Sequence, residues 1–92
     1  MTIEVTLAER GARYGEFRHH ASIAQGLKDV MRNTAGWERL APDQREALEM
    51  IAHKIARALN GNPDFVDTYH DIAGYALLVE QRLNEEGCDH AE

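Results

Sequence analysis

Ninety-two residues carry 10 basic and 16 acidic side chains, a formal charge of −6, with 43% hydrophobic and 28% charged residues. This length gives one small domain with a limited core, for which oligomerisation is a natural supplement. The acidic balance argues against general nucleic-acid binding, which relies on Lys and Arg against phosphates, and no apolar run reaches the roughly 18 residues of a membrane span.

The N-terminus lacks the basic and apolar regions of a signal peptide. The single Cys88 excludes a disulfide framework and a cysteine-based zinc site. A cytoplasmic setting in a bacterial cell is the expectation. In chain order, residues 2–6 (TIEVT) lean towards strand but are too short to build a sheet. Thr6 then caps a short helix that Gly11 weakens and Gly15 ends. A long helix is predicted from Phe17 to Arg32, with Ile23, Leu27 and Val30 at helical spacing. His19 and His20 read as its solvated start, and Trp37 with Leu40 as an apolar plug in the connection that follows.

Pro42 and Asp43 mark the start of a second long helix, which continues through Leu48, Ile51, Ile55 and Leu59. The turn NGNPD ends it, and a third long helix is predicted from Asp64 to about Glu85. The predicted fold is therefore all-α, a small bundle of three long helices and a short N-terminal one. Its last two helices form an antiparallel hairpin. Residues 1–86 make the domain and residues 87–92 a disordered acidic tail.

Two stretches concentrate chemistry. On the hairpin, Glu46 and Glu49 share a stripe with His53 and Arg57, while Asp67 and Asp71 share one with Gly74. Carboxylates from two facing helices are a common way to hold a hard cation, so Glu46, Glu49, Asp67 and Asp71 are a candidate Mg²⁺ site. Arg10, Lys54 and Arg57 are candidates for phosphate, and His70 and Tyr75 for flanking contacts. The same spacing equally suits structural ion pairs, Lys54 with Asp71 and Arg57 with Asp67. Gly74 would allow close approach of a ligand or a second helix. In the N-terminal ERGARYGEF, Tyr14 and Phe17 are either stacking platforms for a base or core anchors.

These blocks resemble a family of small phage and prophage proteins of uncharacterised function. The shared features are Arg10, Gly11, Tyr14 and Gly15; Lys54 and Arg57; Gly61 and Pro63; and Asp67, Asp71, Gly74 and Tyr75. A weaker similarity links the chain to the all-α nucleoside triphosphate pyrophosphohydrolases of the MazG type, whose E-x-x-E pair Glu46 and Glu49 match. Their second pair is spaced by three, whereas Asp67 and Asp71 are four apart. That resemblance implies Mg²⁺, a nucleotide ligand and a homo-oligomer. The expected function is nucleotide binding, with or without hydrolysis. The alternative is a non-catalytic accessory protein that binds a host protein or sequesters a nucleotide signal.

Overall fold

The computed structural model describes residues 2–86, and among them the secondary structure is entirely helical. Helix α1 spans Ile3–Tyr14, α2 Phe17–Arg32, α3 Pro42–Asn60 and α4 Val66–Glu86, with a short 3-10 helix, Ala35–Arg39, between α2 and α3. The tail expected over residues 87–92 lies outside the described residues.

The N-terminus departs from the sequence expectation. The TIEVT run belongs to α1, because Thr2 rather than Thr6 supplies the cap: its hydroxyl accepts the Val5 N–H at 3.2 Å. An isolated β-leaning run has no strand to pair with, whereas a capped helix satisfies its own backbone. The Thr6 hydroxyl instead donates to the Thr2 carbonyl. Gly11 is tolerated inside the helix, and Gly15 ends it with φ 76 and an N–H returned to the Gly11 carbonyl at 2.9 Å.

The first residue of α3 is Pro42, as its fixed φ suits. Ahead of it, the Ala41 N–H donates to the Gln44 side chain at 2.8 Å. The α3–α4 connection is longer than predicted, since Pro63 and Asp64 lie in a turn and α4 begins only at Val66. Asn62 builds that turn by accepting the Asp64 N–H through its side chain and the Phe65 N–H through its carbonyl.

Helices α3 and α4 are antiparallel. Lys54, late in α3, meets Asp71, early in α4, at 2.8 Å; Asp43, at the start of α3, meets Arg82, late in α4, through two bonds of 2.6 and 2.8 Å. On the other flank of α3, His53 meets His20 and Glu49 meets Arg32 of α2. Helix α3 thus contacts every other helix, while α2 and α4 barely touch one another.

The helix contacts are made by small residues. The buried apolar residues are Ala24, Ala47, Ala52 and Ala56, and no large side chain among the described residues is fully enclosed. Alanines let helix axes approach closely; of the larger apolar side chains, Leu27, Ile51 and Ile72 are half-buried and Val30, Leu59 and Val66 exposed. Trp37, expected in the core, is only half-buried, with the Arg45 guanidinium 5.7 Å from its ring centre.

The glycines divide sharply by environment. A β-carbon on Gly15 would collide with the Asn60 backbone and side chain, and its positive φ disfavours any L side chain. One on Gly74 would meet nothing within 4 Å, so the close approach expected there is not made within the chain. Gly15→Ala should therefore lower stability by more than about 1 kcal/mol. Gly74→Ala should raise it by up to about 1 kcal/mol through helix propensity alone. Thermal unfolding followed by circular dichroism separates the two, and equal effects would contradict this assignment.

Candidate functional site

The two connections of the fold are stitched together at one end of α3. The Asn60 amide donates to the Tyr14 carbonyl at 2.8 Å and to the Glu16 carbonyl at 3.0 Å. The Asn62 N–H donates to the Arg13 carbonyl at 2.7 Å. Gly15 and Gly61 have no side chain to block this approach: a β-carbon on Gly61 would strike the backbone of Arg13 and Tyr14. These bonds satisfy carbonyls at the end of α1 that a helix leaves without partners.

A cleft of about 60 Å³ results, lined by Arg10, Tyr14, Gly15, Phe17, His20, His53 and Arg57. The Arg57 guanidinium lies 4.1 Å from the Tyr14 ring centre, and that of Arg10 lies 5.4 Å from it. Tyr14 in turn meets Phe65 edge-on at 6.1 Å, and the Arg13 guanidinium covers Phe65 at 5.2 Å. Such contacts hold a guanidinium flat without consuming its hydrogen-bond donors. Among the described residues, no carboxylate forms a salt bridge with Arg10, Arg13 or Arg57.

At the base of the cleft, His20 Nε2 and His53 Nδ1 are 3.2 Å apart, with the rings nearly perpendicular. One imidazole donates and the other accepts, so the contact needs at least one neutral ring. Burial chiefly, with the positive charges of Arg57 and Lys28 behind it, lowers the His20 pKa. Burial first and then Arg57 push His53 down to about 4. His20 Nδ1 is buried without a hydrogen-bond partner. The cleft is thus lined by two arginines that no carboxylate among the described residues salt-bridges, in an acidic protein.

Of the residues singled out from sequence, Arg10, Tyr14 and Arg57 converge on this cleft. Lys54 is buried and bound to Asp71, whose pKa is lowered mainly by that hydrogen bond. His70 and Tyr75 lie apart from the cleft, in a shallow groove along α4 with Asp71 and Gly74. The expected pairing of Arg57 with Asp67 is not made, because Arg57 lies on Tyr14 and Asp67 is exposed.

The four proposed metal carboxylates do not gather. Glu49 accepts two bonds from Arg32, at 2.7 and 2.5 Å, and Asp71 is held by Lys54. Glu46 lines a different groove with Asp43 and Tyr75. Among the described residues, no three His, Cys, Asp or Glu side chains are placed to share a metal ion.

His20 corrects the sequence reading, since it is buried rather than a solvated helix start. Its signal lay in the spacing: His20, Ala24, Leu27 and Met31 form one stripe of α2, and counting His20 as part of it would have turned it inward.

Two measurements test these assignments. The unfolded chain protonates its histidines near pH 6.5, whereas folded His53 does so only near 4. Folding therefore releases protons in that window, and the stability present at pH 7 should fall as pH drops from about 6.5 towards 4. His53→Gln should flatten that dependence in denaturant melts. Separately, Asp71→Asn should lower the melting temperature more than Asp67→Asn, because it strands the buried Lys54 ammonium. Equal losses would mean that the clasp contributes nothing.

No curated protein and no solved structure matches this sequence. The family model described as "Domain of unknown function (DUF6378)" matches residues 2–83, nearly the whole described chain, and the chain belongs to that family.

Proposed function

We propose that the protein binds a phosphate-bearing small molecule, a nucleotide above all, in the cleft between α1, α2 and α3. One observation carries the reading: Arg10 and Arg57 lie over the same tyrosine ring without a salt-bridging carboxylate among the described residues, in a chain of net charge −6. Guanidinium groups held flat with free donors suit the paired oxygens of a phosphate. The cleft has room for a few water molecules, and so for a phosphoryl group rather than a whole nucleotide. A base would lie outside it, against the largely exposed ring of Phe17.

The likeness to MazG-type enzymes makes nucleoside triphosphates the first ligands to try. The hydrolytic form of that likeness asks Glu46, Glu49, Asp67 and Asp71 to hold Mg²⁺. It requires Glu49 to leave Arg32 and Asp71 to leave Lys54. The binding form requires no such rearrangement and is preferred. In a phage or prophage accessory protein, such a pocket would serve to sequester a nucleotide signal.

Melting temperatures with ATP, dATP and inorganic phosphate, in EDTA and in Mg²⁺, test the reading. A ligand at 100 times its Kd stabilises by about 2.7 kcal/mol. For a domain of this size that is a rise of roughly 10 °C or more. The rise should persist in EDTA, disappear in Arg57→Ala and survive in Glu46→Gln. Affinity should strengthen from pH 8 to 6, as bound phosphate offsets the Arg57 and Lys28 charges that, after burial, lower the His20 pKa. No shift with any of these ligands would end the proposal; a shift that needs Mg²⁺ and is lost in Glu46→Gln would replace it with the metal-dependent form.

A further inference from the structure

The three long helices form one layer rather than a closed bundle. Helix α3 lies in the middle with α2 and α4 on its flanks. A layer of helices has two faces, and a stable domain covers its apolar face with a second layer. Here one face carries the cleft. On α3, His53 and Arg57 point to that side, while Leu48, Ile51, Ile55 and Leu59 recur at helical spacing on the opposite side. The described chain covers them only in part: Leu59 is 68% exposed, Leu48 and Ile55 about two-fifths, and Ile51 is half-buried.

The neighbouring helices extend the same face. Val30 of α2, 69% exposed, shares a groove with Leu40 and Leu48. That groove adjoins a second, almost wholly apolar one, in which Leu48 and Ile51 meet Ala76 and Val79 of α4. Along α4 the row Val66, Tyr69, Ala73 and Ala76 is uncharged until Glu80 at its end. The Tyr69 hydroxyl already donates to the Pro63 carbonyl, so covering its ring would strand no polar group.

We propose that this face is the interface of a homodimer, each copy supplying the second layer for the other. Two features of the molecule select a second copy as the occupant. The first is the thin core: only alanines are buried among its apolar residues, while larger ones such as Leu27, Ile51 and Ile72 reach half-burial, and a structure of this size is marginal without more. A face on which folding itself depends suits a permanent, self-supplied partner. The second is area. Val30, Leu48, Ile55, Leu59, Val66 and Tyr69 each withdraw on the order of 60–120 Å² when covered. With the alanines between them they approach the roughly 800 Å² per partner of a standard stable interface. The face is also free of charge at its centre, so the net charge of −6 is not concentrated across the contact. Two copies packed this way leave both clefts on the outer surfaces, open to ligand.

Sedimentation and light scattering of the purified full chain decide the matter. The expected mass is about 21 kDa, twice the 10.4 kDa chain, with a melting temperature that rises with protein concentration. Ile55→Glu and Leu59→Glu should weaken the dimer at least 100-fold, giving a 10.4 kDa species or loss of helical signal. Leu78→Glu, on the other side of α4 and also exposed, should leave the mass unchanged. A wild-type monomer that keeps its helicity and melts independently of concentration would mean that another molecule covers this face, and would overturn the proposal. So would any assembly that Ile55→Glu and Leu59→Glu leave intact.

Discussion

The arrangement of this molecule turns on one side-chain amide. Asn60 bonds two carbonyls of the α1–α2 connection from the end of α3, and two glycines remove the β-carbons that would keep the connections apart. The contact helps decide where α1 lies, because α1 buries none of its residues fully and its main apolar contact is Tyr14 against Phe65. It also aligns Arg10 and Tyr14 of one helix with His53 and Arg57 of another. A bond from a side-chain amide to backbone carbonyls thus does what hydrophobic packing does in larger domains. Its geometry is stricter, since a hydrogen bond fails with a few tenths of an ångström or a modest tilt.

Alanine contacts shape the rest. Ala24, Ala47, Ala52 and Ala56 are the buried apolar residues where α2 and α4 meet α3. The larger buried side chains are polar: His20, which meets His53, and Lys54, whose ammonium meets Asp71. Arg82 closes the far end of the hairpin, its Nε and Nη2 on Asp43 and its Nη1 on Glu86, and the Asp43 pKa is lowered. Charge rather than a sealed core thereby fixes the register of α3 against α4.

Much of the fold was legible in residue order. The bounds of α2 and the start of α3 follow from apolar spacing and Pro42, and the ion pair of Lys54 with Asp71 follows from pairing two stripes across a short turn. The start of α1 was misread because a β-leaning composition is a weak signal beside a threonine cap. The site was legible only in part. Arg10, Tyr14 and Arg57 were picked for their chemistry, yet their meeting depends on Asn60 and on Gly61, which reads from sequence as an ordinary helix stop. The carboxylates lie apart for the complementary reason. Spacing puts acidic residues on one stripe, but the basic residues of other elements, Arg32 above all, are invisible to a rule that looks along one helix.

The lack of any buried residue in α1 has a kinetic meaning. An element held by a few hydrogen bonds and the Tyr14 ring at one end exposes little apolar surface when it detaches, so its opening costs less than the unfolding of α3 and α4. Amide protons of α1 should therefore exchange through that local detachment, and those in the middle of α3 only when the layer itself comes apart.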